Sequence, residues 1–195
     1  MFDVVITGGT VVDGSGSPGY PADLGIEGDK ISAIGDLSQA DTGRVVDATG
    51  LTVSPGFIDT HTHSDAALLV DPQHAAGLRQ GITTEILGQD GLSYAPLSAE
   101  NYRMLSRYLS GILGLPPQDL DMSTVSAFRS HYHKKTAINT AYLVAHAAVR
   151  LETLGFHDVP LVGDALDKAK RLVREGIEQG AVGFSTGLSY HPNAW

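Results

Sequence analysis

Cysteine is absent from this 195-residue chain, and the absence limits the kinds of site that the chain can build. A scaffold held by disulfide bonds is excluded, and so is any metal site that uses thiolate ligands. A metal ion would therefore have to be held by carboxylates or by histidine, which occurs eight times.

The chain also lacks long runs of like-charged residues and long runs of apolar residues. Charged residues make up 18% of the chain, and its net charge of −9 comes from acidic residues spread along it without a long run. Nucleic acid is not an expected partner, because binding to phosphates needs a basic patch. No segment approaches the roughly 18 apolar residues of a membrane span. The N-terminus, MFDVVITGGTVVDG, lacks the basic and apolar regions of a secretory signal, so we expect a cytoplasmic protein.

Residues 1–54 consist of short β-branched runs separated by glycine-rich turns. Asp13-Gly14 and Gly28-Asp29 are two of these turns, and such pairs between β-branched residues are typical of β-hairpins. We therefore predict a small antiparallel sheet that forms a domain of its own. The turn Ser54-Pro55-Gly56 ends this pattern, and a different one follows.

From residue 55 onward, strand patterns alternate with helix patterns. Strands are predicted at residues 57–59, 82–87, 139–144 and 181–185. Helices are predicted at residues 72–80, 101–113, 123–134 and 164–179. The last helix has one apolar face, and Asp164 is its predicted N-cap. This alternation predicts an α/β fold with parallel strands, either a (β/α)₈ barrel or an open doubly wound sheet. A full barrel takes roughly 250 residues, so the four units in residues 55–195 would make half of one.

Two histidines, His61 and His63, follow the first of these strands in the stretch PGFIDTHTHSD. Residues two apart on a strand point to the same side, and barrel enzymes place their chemistry at the carboxyl ends of parallel strands. Two imidazoles that converge there can bind a divalent metal, and Asp59 or Asp65 could orient an imidazole or complete the site. The pattern thus predicts a metal site, against the alternative of two polar loop histidines.

A second pair, His131 and His133, provides a comparison within the same chain. It falls in the predicted helix 123–134, where residues two apart do not share a face. Lys134 and Lys135 beside it also disfavour a cation. We interpret this pair as part of a solvated surface.

The remaining histidines are not predicted to be ligands. His146 ends the third barrel strand, where it is expected to orient the site's residues or to be a hydrogen-bonded polar group of the core. His74, His157 and His191 are predicted to be surface or loop residues.

Several stretches resemble one known family. VSPGFIDTHTHSD resembles the first barrel strand of the amidohydrolase superfamily, and FDVVITGGTVVDGSGSPGYPADLGIEGDKISAIGDL is similar to the N-terminal sheet of these hydrolases. GITTEILGQDGLSYAP, NTAYLVAHAAVR and EGIEQGAVGFSTGLSYHPNAW resemble the D-aminoacylase branch, the N-acyl-D-amino-acid deacylases. The resemblance covers nearly the whole chain. It implies a small β-sandwich-type sheet in residues 1–54, followed by the first half of a TIM-like (β/α)₈ metal-dependent hydrolase barrel in residues 55–195.

The resemblance also implies a site. His61 and His63 match the family's metal ligands. Asp90 falls where many deacylases of this branch carry a metal-binding cysteine, and a carboxylate can ligate zinc or bridge two cations. The alternative for Asp90 is a turn aspartate before Gly91. Tyr190 matches a tyrosine that faces the substrate, and its alternative is an ordinary half-buried tyrosine.

The family's other metal-binding histidines, and the aspartate that acts as general acid and base, lie on later barrel strands that this chain does not reach. The resemblance implies part of a longer enzyme that uses one or two zinc ions to deacylate N-acyl-D-amino acids. This chain alone is expected to have little or no activity. One alternative is a cyclic-amide hydrolase of the dihydroorotase or hydantoinase type. Another is a non-catalytic half-barrel that binds metal or a partner chain. Metal identity, acyl preference and oligomeric state stay open.

Overall fold

The structure, a computed structural model, describes residues 1–194 and divides into two compact units. The first unit is Met1–Gly56, and the second begins at Phe57. Each is built from its own secondary-structure elements. Within residues 1–194, none of the helices has the length and apolar character that a membrane crossing needs.

In the first unit, residues 1–56 form one five-stranded sheet. Its strands are β1 (Val4–Val11), β2 (Tyr20–Glu27), β3 (Lys30–Gly35), β4 (Val45–Asp47) and β5 (Thr52–Val53). β1, β2 and β3 pair antiparallel, with Gly28 at φ 59° in the tight turn between β2 and β3. The predicted small sheet is confirmed, but the prediction that all of its strands pair antiparallel was wrong. β4 and β5 lie parallel to β1, because the chain reaches them through longer connections with no hairpin signal.

In the second unit, four strands of residues 57–194 form a parallel sheet. They are β6 (Phe57–Asp59), β7 (Ile82–Leu87), β8 (Asn139–Ala145) and β9 (Gly183–Ser185). The strands pair in chain order, β6-β7-β8-β9, without the reversal that a doubly wound sheet shows. Sequential parallel pairing is the arrangement of a (β/α)₈ barrel, so these strands form half of a TIM-like barrel. All four predicted strands are confirmed, with small differences at their ends.

Seven α-helices lie within residues 57–194. They are α1 (Asp65–Val70), α2 (Ala75–Leu78), α3 (Ala99–Tyr108), α4 (Ser110–Leu113), α5 (Val125–Ser130), α6 (His146–Leu154) and α7 (Gly163–Glu178). The helix predicted at residues 72–80 is shorter than expected, because only α2 forms there. Helices α1 and α6 were not predicted. The predicted helix 101–113 is divided at Leu109 between α3 and α4. The predicted helix 123–134 ends at Ser130.

The early end of α5 changes the surroundings of the second histidine pair. His131 and His133 lie in turns rather than on a helix. His131 Nε2 lies 2.8 Å from the backbone oxygen of Asp121, and His133 is exposed. The pair therefore lies at the surface as predicted, although the helix that was the reason for the prediction is absent there.

The core of the second unit lies between the sheet and its helices. Leu87 on β7 and Tyr142 and Val144 on β8 are fully buried. Phe128 of α5 packs on Tyr142, with ring centroids 4.4 Å apart. Val173 of α7 packs against the same cluster. This packing holds the sheet rigid, so that the loops after its strands can be placed accurately.

The start of α7 corrects one prediction. The N-cap position belongs to Val162, which makes no side-chain cap hydrogen bond, and the helix begins at Gly163. Asp164 is therefore not the N-cap but a residue of the first turn, where its negative charge still interacts favourably with the helix dipole.

Candidate metal centre

His61, His63 and Asp90 come together where the first two barrel strands, β6 and β7, end. One potential ligand atom from each residue lies within 4.8 Å of the others. Asp90 Oδ2 lies 3.3 Å from His61 Nε2 and 3.3 Å from His63 Nε2. The two imidazole rings meet edge to face, with centroids 5.7 Å apart. In both rings, therefore, the Nε2 atom faces the Oδ2 oxygen of Asp90.

Backbone contacts fix the loop that carries the two histidines. Asp59 Oδ1 accepts a hydrogen bond of 3.0 Å from the backbone N–H of His61. The side-chain amide of Gln89 donates to the backbone oxygen of Thr60 at 2.8 Å. Asp59 was predicted to orient an imidazole or to complete the site, and that prediction was wrong, because its carboxylate holds the backbone of His61 instead.

Asp65 does not belong to the group either. It is 0% exposed, its Oδ1 accepts a hydrogen bond from Ser93 Oγ, and its backbone oxygen accepts one of 2.8 Å from the Tyr132 hydroxyl. Burial raises the pKa of Asp65 to about 7, because desolvation of the carboxylate outweighs its hydrogen bonds. The prediction that Asp65 completes the site or orients an imidazole was wrong, since this side chain is bonded within the core.

Asp90 is held in an uncommon backbone conformation. It lies in the 3₁₀ turn Gln89–Gly91 with a φ of 55°, which aspartate adopts more readily than most residues. Gly88 before it has a φ of 82°, and a Cβ there would lie 2.3 Å from the backbone oxygen of Leu143. Ser185 of β9 donates its hydroxyl to the backbone oxygen of Gly88. The close approach of the neighbouring strands therefore sets the position of Asp90.

The donor set fits a divalent cation. Two imidazole nitrogens and a carboxylate oxygen are zinc ligands, and a tetrahedral zinc with bonds of about 2.0–2.1 Å has its ligand atoms about 3.3 Å apart. The two separations measured from Asp90 Oδ2 match that value. The contact between His63 Nε2 and Asp90 Oδ2 also meets the geometry of a long hydrogen bond. With both Nε2 atoms deprotonated, the two imidazoles and the carboxylate would offer three electron-pair donors to one cation.

Tyr190 lies in the segment after β9. It is half-buried and packs against the hydrophobic core of the second unit. The same segment is tied to the Asp90 turn, because Asn193 Nδ2 donates to the backbone oxygens of Asp90 at 3.3 Å and Gly91 at 3.4 Å. A contact between the Tyr190 hydroxyl and substrate stays a prediction.

His146 begins α6, directly after β8. Its Nδ1 lies 2.9 Å from Thr186 Oγ1. Burial lowers the pKa of His146, and the positive charge of Arg150 lowers it further. The predicted hydrogen bond of His146 is confirmed, although the residue is half-buried rather than part of the core.

Sequence reasoning missed a polar cluster beside the three candidate ligands. His74, predicted as a surface or loop residue, is 19% exposed and its Nε2 donates to Glu85 Oε1 at 2.7 Å. Ser64 Oγ donates to the other oxygen of Glu85. The available signal was a glutamate inside the strand 82–87, because a buried carboxylate needs partners.

Comparison with known proteins identifies a family model and several similar proteins. A model described as the amidohydrolase family matches residues 44–192. D-aminoacylase of Alcaligenes xylosoxydans xylosoxydans is 36% identical, with 99% of this chain and 39% of the relative covered. N-acyl-D-glutamate deacylase of the same organism is 40% identical, with 98% and 38% covered.

The solved structures agree. N-acyl-D-glutamate deacylase from Bordetella bronchiseptica, complexed with zinc and a phosphonate inhibitor, has a TM-score of 0.85 at 35% identity, with 99% of this chain and 40% of that chain covered. A D-aminoacylase with a binuclear metal centre has the same TM-score and identity, with 100% and 40% covered. This chain thus spans about two fifths of the length of its relatives.

Proposed function

The chain belongs to the amidohydrolase family, and on that premise we propose that it is the metal-binding part of an N-acyl-D-amino-acid deacylase. The enzyme hydrolyses a linear amide bond and releases a carboxylate and a D-amino acid. The observation that carries the proposal is the pair of 3.3 Å separations between Asp90 Oδ2 and the two histidine Nε2 atoms. Relatives that are 36% and 40% identical bear the names D-aminoacylase and N-acyl-D-glutamate deacylase, which supports this substrate class.

In this proposal His61, His63 and Asp90 hold zinc. The Bordetella bronchiseptica deacylase is described with zinc, and the D-aminoacylase with two metals, which supports one or two ions. Asp90 has two oxygens and could serve both. Held by these residues, a zinc ion would provide a bound water of lowered pKa and a Lewis acid for the amide carbonyl. The rigid turn around Asp90 and the backbone bond from His61 to Asp59 keep the ligands in place for that chemistry.

Tyr190 is assigned to the substrate. Its phenol can donate a hydrogen bond to the substrate carboxylate or to the oxyanion that develops from the amide oxygen. The hydrogen bonds from Asn193 to the Asp90 turn support this role, because they keep the segment of Tyr190 close to the ligand loop.

The proposed substrate is a small molecule. We also propose that the enzyme is located in the cytoplasm.

The general base is assigned to no residue of this chain. Within residues 1–194, the group that could hold a metal consists of His61, His63 and Asp90 alone. In this proposal all three side chains bind the metal. Another carboxylate therefore has to take the proton from water and return it to the leaving amine. We assign that carboxylate to the part of the enzyme that corresponds to the other three fifths of the relatives' length.

The substrate class can be tested by completing the barrel. The chain would be joined to the C-terminal three fifths of the Alcaligenes D-aminoacylase, and N-acetyl-D-amino acids, their L-enantiomers and hydantoins would be assayed. We expect zinc-dependent hydrolysis of the D-compounds, lost in the His61→Ala/His63→Ala variant. We expect almost none from the 195-residue chain alone. Hydrolysis of hydantoins instead would contradict the deacylase assignment, and a zinc-bound but inactive chimera would favour a non-catalytic metal-binding half-barrel.

A further inference from the structure

A buried carboxylate lies beside the metal centre without belonging to it. Glu85 is 2% exposed and is not one of the three grouped residues. Ser64 donates to one of its oxygens, and His74 to the other. Each oxygen is therefore held by a different segment of the chain. A carboxylate suits this position because it only accepts hydrogen bonds, whereas both partners can donate them.

Ser64 links this carboxylate to the metal centre, because it directly follows His63. It occupies the N-cap position of α1, yet its side chain makes no cap hydrogen bond. A serine in that position usually uses its hydroxyl to cap the helix. Here the hydroxyl is bonded to Glu85, so the backbone immediately after His63 is tied to β7.

The second ring nitrogen of His63 does not help to orient the ring. Its Nδ1 is buried and has no hydrogen-bond partner within the described residues. Metal-binding histidines usually donate this second ring nitrogen to a carboxylate or carbonyl group, which fixes the orientation of the ring. The orientation of the His63 ring must therefore be fixed by packing and by the position of its backbone. The hydrogen bond between Ser64 and Glu85 fixes the backbone next to His63.

His74 holds the carboxylate from the opposite side. Its backbone has a φ of 43°, and its ring reaches Glu85 over Gly77. A Cβ at Gly77 would lie 2.6 Å from that ring, so glycine leaves the space that the ring needs. Glu85 is therefore fixed from two directions, and it can in turn hold Ser64 in one place.

We propose that Glu85 is a positioning residue, which acts through Ser64 to hold the His63 imidazole toward Asp90 and the metal ion. The inference rests on the proposed metal centre. It gives Glu85 no contact with metal or substrate. A carboxylate at this position accepts from both partners at once, which a glutamine could not do in the same geometry.

The test measures metal binding rather than activity. Zinc affinity of the 195-residue chain is determined by competition with a chromophoric chelator. The visible absorption spectrum of the Co²⁺-loaded chain reports coordination geometry. We expect Ser64→Ala and Glu85→Gln each to weaken zinc binding about 10–100-fold, as loss of a ligand-orienting partner does, and to change the cobalt spectrum. The double variant should bind no more weakly than the weaker of the two single variants, because Ser64 and Glu85 act through one shared hydrogen bond.

Two control variants separate positioning from general stability. Ser106 is an equally buried serine bonded to Gln118, and Glu152 accepts from the backbone N–H of Ser98 and the amide of Asn101. Ser106→Ala and Glu152→Gln should leave zinc affinity and the cobalt spectrum unchanged, even where they lower the melting temperature.

Two different failures are distinguishable in this experiment. If the wild-type chain binds zinc and Ser64→Ala and Glu85→Gln match it within about twofold, with an unchanged cobalt spectrum, the positioning role is overturned and the metal centre stands. If the wild-type chain itself binds no zinc, the proposed metal centre is wrong and the inference is overturned with it.

Discussion

Asp90 Oδ2 lies 3.3 Å from His63 Nε2, although the two residues are 27 positions apart in the chain. The parallel pairing of β6 and β7 brings them together, because it places the carboxyl ends of both strands at one edge of the sheet. The relation explains how a chain without cysteine can place a candidate ligand, Asp90, at the end of its second barrel strand.

Replacement of Asp90 tests its role as a ligand. Asp90→Asn should weaken zinc binding at least about tenfold, because a neutral amide oxygen is a poorer ligand than a carboxylate. Asp90→Cys should retain zinc, since a thiolate is a strong zinc ligand. Its Co²⁺ form should show a sulfur-to-cobalt charge-transfer band. Equal zinc affinity in wild type, Asp90→Asn and Asp90→Ala would show that Asp90 is only a turn residue.

Gly88 is predicted to be irreplaceable for steric reasons. Gly88→Ala would place a Cβ 2.3 Å from the backbone oxygen of Leu143, in addition to the strain of a φ of 82°. We expect a loss of about 3 kcal/mol or more in the free energy of unfolding, measured by urea denaturation. Gly163→Ala is the matched control, because Gly163 also has a positive φ but has open space around it. It should cost only about 1 kcal/mol, and equal losses at the two positions would contradict the steric account.

Asp65 should make stability depend on pH. Its pKa is raised from 3.8 to about 7, so its contribution is fully present below pH 3.8 and is lost as the pH rises through 7. The stability of wild type relative to Asp65→Asn should therefore fall by a few kcal/mol between about pH 4 and pH 7 and then level off. Urea denaturation across this range provides the measurement. A difference between the two proteins that does not change with pH would contradict a buried, raised-pKa carboxyl group.

The last strand of the sheet should promote self-association. β9 pairs only with β8 among the described residues, and Val182 beside it is 63% exposed. Unpaired strand edges with apolar side chains attract other chains. We expect concentration-dependent association in sedimentation velocity runs, reduced by Val182→Lys. Val159→Lys, which adds the same charge at a 44% exposed loop position, should change association much less. Equal effects would assign the result to net charge alone.

Local chemistry was sufficient to predict the strands and the histidine pair. The strand Ile82–Leu87 was predicted residue for residue, because a β-branched run is bounded there by Gly81 and Gly88. His61 and His63 were recognisable because their spacing of two falls at a strand end, where the two side chains point to one side. Asp90 required the family resemblance, since its local sequence reads equally well as a turn.

Other features depend on contacts that a linear pattern does not contain. The hydrogen bonds of Glu85 join residues 21 and 11 positions away, so His74 could not be separated from a surface histidine by its neighbours. Asp59 was predicted to orient an imidazole or to complete the site, but its carboxylate holds the backbone of His61, because that contact depends on how the loop turns. The helix predicted at residues 72–80 shortened to α2, since a run of helix-forming residues does not show where tertiary packing ends a helix.

The most direct test of the account is the zinc content of the purified chain, measured by elemental analysis beside the His61→Ala/His63→Ala variant. We expect near-stoichiometric zinc in wild type and little or none in the variant, with both proteins folded by circular dichroism. Equal zinc content in the two proteins, or none in either when zinc is supplied in excess, would contradict a metal centre built from His61, His63 and Asp90.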